Sequence, residues 1–224
     1  MKSTSETGHA KNVANFETLI SFCIGYGTAY DPSNSNLQIG NLQDKYSRAK
    51  DKLSAVKIKK GPFDTATGQR QLIFKTLKPT ATRIINTLIA QEAPSSTIKD
   101  ARTIIRKLNG KRATMLSAEN TPDNTISVSQ QSYDRLVDSF EQLIVLTQNE
   151  TTYSTNDPEL KTEALQTYLN KMAEANTNVR NAYVPYSNAI VARNKELYNS
   201  DTSLLHVAAA VKSYIKATFG AASP

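Results

Sequence analysis

Phe16-Glu17-Thr18-Leu19-Ile20 is echoed by Phe140-Glu141-Gln142-Leu143-Ile144, and this pair decides how the chain is read. Tyr30 then precedes Leu37 by seven residues, as Tyr153 precedes Leu160 by seven. Further on, Leu42/Leu165, Tyr46/Leu169, Ala49/Met172 and Val56/Val179 all hold one offset of 123. Self-similarity on this scale marks a supersecondary unit used more than once. The plain alternative is that any two helical hairpins share leucines at three and four spacing. The later parts of the two halves align poorly and do not separate these readings.

The apolar periodicity along the chain is helical. Val13, Phe16, Leu19/Ile20 and Cys23 give one face to a helix over about Asn12 to Ala29. Asp31-Pro32-Ser33-Asn34 is a turn cluster, and Asn36 is placed to cap the next helix. There Leu42, Tyr46, Ala49, Leu53 and Val56 follow gaps of 4, 3, 4 and 3, a heptad-like stripe. Gly61-Pro62 is expected to stop it. A third helix spans roughly 65–91, with Pro79 kinking or interrupting it. A fourth opens at Pro94-Ser95-Ser96 and ends at Gly110 as the residue after the C-cap. Residues 111–128 read as a connector.

The second half repeats the scheme, with a helix over about Ser129 to Thr152 and a start at Asp157-Pro158. The stripe Leu165, Leu169, Met172, Asn176, Val179 again has gaps of 4, 3, 4 and 3. Tyr183-Val184-Pro185 is expected to break or bend the chain, and Asp201 to cap a last helix ending at Gly220. The expected fold is all-α: two tandem antiparallel helical bundles of about four helices each, residues 12–110 and 129–220, after a flexible tail over 1–11. One continuous bundle of longer helices is the rival. Eight glycines and eight prolines in 224 residues suit long helices better than an all-β fold with many turns.

The net charge of +7 is uneven. Residues 1–112 carry 19 Lys+Arg against 8 Asp+Glu, and residues 113–224 carry 8 against 12. A basic half implies an anionic partner, or attraction between the halves or between copies. Lys45, Arg48, Lys52 and Lys59 share one helix face at offsets 0, 3, 7 and 14. Lys99, Arg102 and Arg106 form a second strip at offsets 0, 3 and 7. Together they are the candidate anion-binding face, able to track phosphates at one contact per side chain. No aromatic residue shares that basic face to stack bases, and Asp44 and Asp51 dilute the first strip, so an ordinary charged face competes with this reading.

Other chemistry is sparse. His9 lies in the presumed tail, and His206 reads as a surface or edge residue. Neither has metal-ligand spacing, so no metal and no cofactor are expected. Cys23 falls on an apolar stripe and reads as a buried structural thiol. Asp134/Asp138 and Glu159/Glu163 sit four apart and read as solvated faces; di-metal bundles would need Glu-x-x-His motifs. No Gly-rich phosphate loop occurs.

Met1 to Asn12 is polar without an apolar leader core, and no run of eighteen apolar residues exists, so a cytoplasmic location without a membrane span is expected. The functional expectation is a non-enzymatic helical scaffold or protein-interaction module, with a protein partner or self-association. The alternatives are a nucleic-acid-associated protein using the basic face and, less favoured, a helical membrane-active effector.

Overall fold

The computed structural model describes residues 8–111 and 131–220, and among these the chain is all-helical with no strand. Helix α1 is His9–Gly25, followed by 3-10 turns at Gly27–Ala29 and Ser35–Leu37. Helix α2 is Ile39–Phe74, α3 is Leu77–Ala90 and α4 is Ser95–Leu108. After the undescribed stretch come α5 at Tyr133–Asn149, α6 at Thr162–Leu197 and α7 at Leu204–Phe219. The tail expected over 1–11 is partly helical, since α1 begins at His9; the connector falls outside the described residues apart from Lys111.

The expected stop at Gly61-Pro62 is absent, and the chain does not break at Pro185. Helix α2 runs through Pro62, and α6 runs through Pro185. An interior proline removes one ladder bond and crowds the carbonyl four residues back, a cost of about 3 kcal/mol. Those carbonyls belong to Ile58 and Asn181, both on exposed residues, so water can take the freed acceptor. Pro79 behaves differently. Its ring would collide with the carbonyl of Lys75, and the helix breaks there: Thr76 is the N-cap of α3, leaving Pro79 in the first turn, where no intrahelical acceptor exists for its missing N–H. Phe74 and Leu77 flank the break and enter the same core.

Helix starts and stops follow local chemistry. Gly110 adopts φ +69° after Asn109, where a side chain would be strained, and Lys111 N–H returns to the Arg106 carbonyl at 3.0 Å. The Asp157 side chain caps a turn instead of a helix, accepting from Glu159 N–H at 3.0 Å, and α6 starts five residues later at Thr162. Ser203, not Asp201, occupies the N-cap of α7.

The chain forms two compact units that do not follow its order. One comprises residues 1–63 with 182–224, the other 64–181. The expected division into 12–110 and 129–220 assigns each long helix to one bundle. In the structure α2 and α6 each contribute one end to each unit. Charge redistributes accordingly. Within the described residues the first unit carries 12 Lys+Arg against 6 Asp+Glu, and the second 13 against 11.

In the first unit α1 packs on α7, and α7 on the Ser35–Leu37 turn. Its core joins Val13, Phe16, Ile20 and Cys23 to Leu42, Ala49, Leu197, Val207, Val211 and Ile215. Aromatic pairs reinforce it: Tyr26 stacks on Phe219 at 4.1 Å, Tyr30 meets Tyr214 edge-on at 5.3 Å, and Phe63 stacks on Tyr186 at 5.5 Å. In the second unit α4 packs on α3 and α5. Its core gathers Leu77, Ile84, Leu88, Leu108, Phe140, Leu143, Ile144, Leu165 and Met172.

The sequence echo has structural counterparts. Shifting 39–74 by 123 gives 162–197, the bounds of α6, and carries Pro62 onto Pro185. Tyr30 Oη donates to the Leu37 carbonyl at 2.8 Å, and Tyr153 Oη to the Leu160 carbonyl at 2.9 Å. Burial pushes the Tyr153 phenol up to about 12 and raises Tyr30 further, so both hydroxyls stay protonated as donors.

Candidate functional site: the basic face and a polar cleft

The seven basic residues singled out in the sequence do not act alike. Lys45, Arg48, Lys52 and Lys59 lie on α2 within the first unit, and Lys99, Arg102 and Arg106 on α4 within the second. Lys45 is 9% exposed, and its Nζ sits 3.0 Å from Glu196 Oε1 on α6. Arg48 Nε approaches the same oxygen at 3.6 Å. One carboxylate thus serves two cations, and Lys45 is withdrawn from any phosphate-tracking strip. Lys52 and Lys59 remain exposed, as do their neighbours Lys50 and Lys57. Lys50 Nζ also lies 5.8 Å from the Tyr46 ring centre. On α4, Lys99 and Arg102 are exposed and Arg106 is half-buried.

Lys45 and Arg48 also form part of a cleft of about 320 Å³ within the first unit. Its wall is otherwise polar: Asn34, Asn36, Asn41, Asp201, Thr202 and His206, with Leu37, Val207 and Ala210 as the apolar share. The asparagines are held by the backbone they organise. Asn34 Oδ1 accepts from Asn36 N–H at 3.0 Å, and Asn41 Nδ2 donates to the Ser35 carbonyl at 2.6 Å. Both α2 and α7 begin at this cleft, and neither has an acidic residue in its first turn. The sequence offers no local sign of it, because Glu196 and His206 reach Lys45 and Arg48 from the far end of the chain.

Several other ionisable groups are held by neighbours within their own unit. Asp134 accepts from Asn176 at 3.0 Å and Arg180 at 3.1 Å, and Asp138 lies 3.9 Å from Arg135. Arg83 binds both Asp157 and, at 2.7 Å, Glu159. The Glu159 backbone N–H, with Arg83 behind it, holds the Asp157 carboxyl below its ordinary range. Cys23 is fully buried, and burial pushes its thiol up, away from the reactive thiolate. His9 lies in the first turn of α1, with Nδ1 2.6 Å from Tyr198 Oη. Burial, then the Arg193 charge, lower its pKa.

Among the described residues no group of three His, Cys, Asp or Glu is placed to hold a metal, and no helix is long and apolar enough to cross a membrane. Compared with known proteins, the chain matches no family model, no curated protein and no solved structure.

Proposed function

We propose that the chain is a non-enzymatic scaffold, built from a duplicated helix–turn–long-helix segment, that docks a protein partner on the stretches of its long helices that belong to the first unit. One observation carries this reading: no residue from Lys50 to Phe63, or from Ala182 to Glu196, is buried. These stretches nevertheless display Ile58 at 65% and Val191 at 64% exposure, with Tyr183 and Val184 about half exposed. Large apolar side chains left exposed on otherwise charged helices are available to a partner. The adjacent Lys50, Lys52, Lys57 and Lys59 favour an acidic partner, whose approach they would steer.

Duplication is supported by the equal bounds of α2 and α6, the matched prolines, and the paired tyrosine–carbonyl hydrogen bonds. Affinity purification of the native chain beside I58D and V191D variants tests the docking reading. A partner retained by the native chain, lost from both variants and released by salt supports it. Equal recovery on variants of unchanged helicity sinks it.

Nucleic acid is the second reading, favoured by the exposed lysines of α2. With Lys45 engaged by Glu196, the strip offers Lys52 and Lys59 as free phosphate contacts. Each contact gives a slope of about −0.9 in log K against log salt, so binding would be weak and its salt dependence shallow. Titration onto DNA and RNA at two salt concentrations decides: binding whose slope is about −2 supports this reading, and no binding at low salt removes it.

A further inference from the structure

We propose that the polar cleft of the first unit binds a small hydroxyl-bearing phosphate ester. The inference stands apart from partner docking, because it uses the turn before α2, the start of α2, the loop before α7 and the first turns of α7. The charge balance at the cleft is specific. Glu196 pairs with Lys45 at 3.0 Å, and Arg48 Nε lies farther from the same oxygen, at 3.6 Å. Arg48 lines the cleft, and its side chain is 53% exposed. A guanidinium edge presents parallel N–H donors that match a phosphate.

The backbone adds to this. The first intrahelical bond of α2 runs from Leu42 to Gln38, and that of α7 from Val207 to Ser203. The N–H groups of Gly40, Asn41, Leu205 and His206 therefore have no intrahelical acceptor, and Ser203 supplies no side-chain cap. Two helix starts opening at one cleft beside Arg48 favour negative charge there.

The rest of the wall selects what the phosphate is attached to. Asn34, Asn36 and Thr202 offer donors and acceptors suited to hydroxyls. No Phe, Tyr or Trp occurs among the described lining residues, so the His206 imidazole is the one ring there that a nucleobase could stack on. Asp201 repels either phosphate alike, but it accepts hydrogen bonds from hydroxyl groups, which favours a polyol phosphate over inorganic phosphate. A volume of about 320 Å³ suits a ligand of sugar-phosphate size.

Calorimetric titration of the full chain with a hexose 6-phosphate, inorganic phosphate and the uncharged hexose tests the proposal. Saturable one-to-one binding of the ester is expected, several-fold weaker binding of phosphate, and none of the hexose. R48Q should weaken the ester at least tenfold, while K52Q, on the exposed stretch of the same helix, leaves it unchanged. D201N, at an exposed position that keeps the fold, should narrow the gap between ester and phosphate. No saturable binding of the ester, or equal losses in R48Q and K52Q, would overturn the proposal, the latter because it marks diffuse attraction to a basic unit.

Discussion

The Tyr30 hydroxyl donates a 2.8 Å hydrogen bond to the Leu37 carbonyl, closing the turn that leads into α2 from inside a buried core. The bond satisfies two polar groups at once: a phenol that burial keeps protonated and a carbonyl just before the helix. Y30F removes the donor and leaves that carbonyl without its partner. Losing such a bond costs about 1–2 kcal/mol. Y153F, which breaks the matching 2.9 Å bond to Leu160 at a less buried site, should cost less. Urea unfolding of both variants checks the order; equal stability of Y30F and the native chain would remove the structural role given to the tyrosine.

The interior prolines lead to a second expectation. Because α2 and α6 run through their prolines, P62A and P185A each restore a ladder bond and relieve a clash. The gain is about 3 kcal/mol in the helix, offset by about 1 kcal/mol of added unfolded-state entropy. Each variant should therefore be stabilised by about 1–2 kcal/mol. P79A should gain much less, since Pro79 occupies the first turn of α3. Thermal unfolding distinguishes this from a chain that stops at Gly61-Pro62, where P62A would bring no gain.

These prolines show where sequence reading reaches its limit. The apolar stripes through Phe16, Leu42, Phe140 and Leu165 are helical signals that survive any environment, and all four side chains are buried. A proline signal depends on its surroundings. Pro62 and Pro185 project from exposed stretches where water takes the displaced carbonyl, whereas Pro79 follows a point where Phe74 and Leu77 must both reach one core. Periodicity cannot report that difference. Nor can it report that each long helix serves two units, because the stripe of α2 looks the same whichever segments cover it. The Lys45 strip was legible as a helix face, but its pairing with Glu196 spans most of the chain and has no local signature.

That pair yields a third expectation. The Lys45 and Glu196 side chains are 11% and 17% exposed, so removing one partner strands a charge with little access to water. E196Q leaves Lys45 buried and Arg48 beside it, two like charges with no carboxylate between them. A destabilisation of about 2–3 kcal/mol is expected, below the range for a fully buried pair because some solvent reaches both groups. K45M should cost less, since Arg48 can still approach Glu196. Equilibrium unfolding in urea reads both; E196Q within error of the native chain would show that the pair is as weak as one on the surface.

His9 supplies the last expectation, and its sign follows from the direction of its shift. Burial and the nearby Arg193 lower its pKa from 6.5, so the folded chain holds the imidazole neutral where the unfolded chain binds a proton. Its contribution is present above pH 6.5 and is lost as pH falls through 6.5 toward the lower folded value. Protonation also alters the 2.6 Å contact with Tyr198 Oη, because an imidazolium can only donate and the phenol must then accept. The Asn12 amide already donates to that same oxygen at 3.2 Å, so the charged ring competes for its lone pairs. The melting temperature of the native chain should fall between pH 7 and pH 5 more steeply than that of H9Q, which does not titrate there. Parallel pH profiles for the two proteins would show that His9 is solvated and uncoupled from Tyr198.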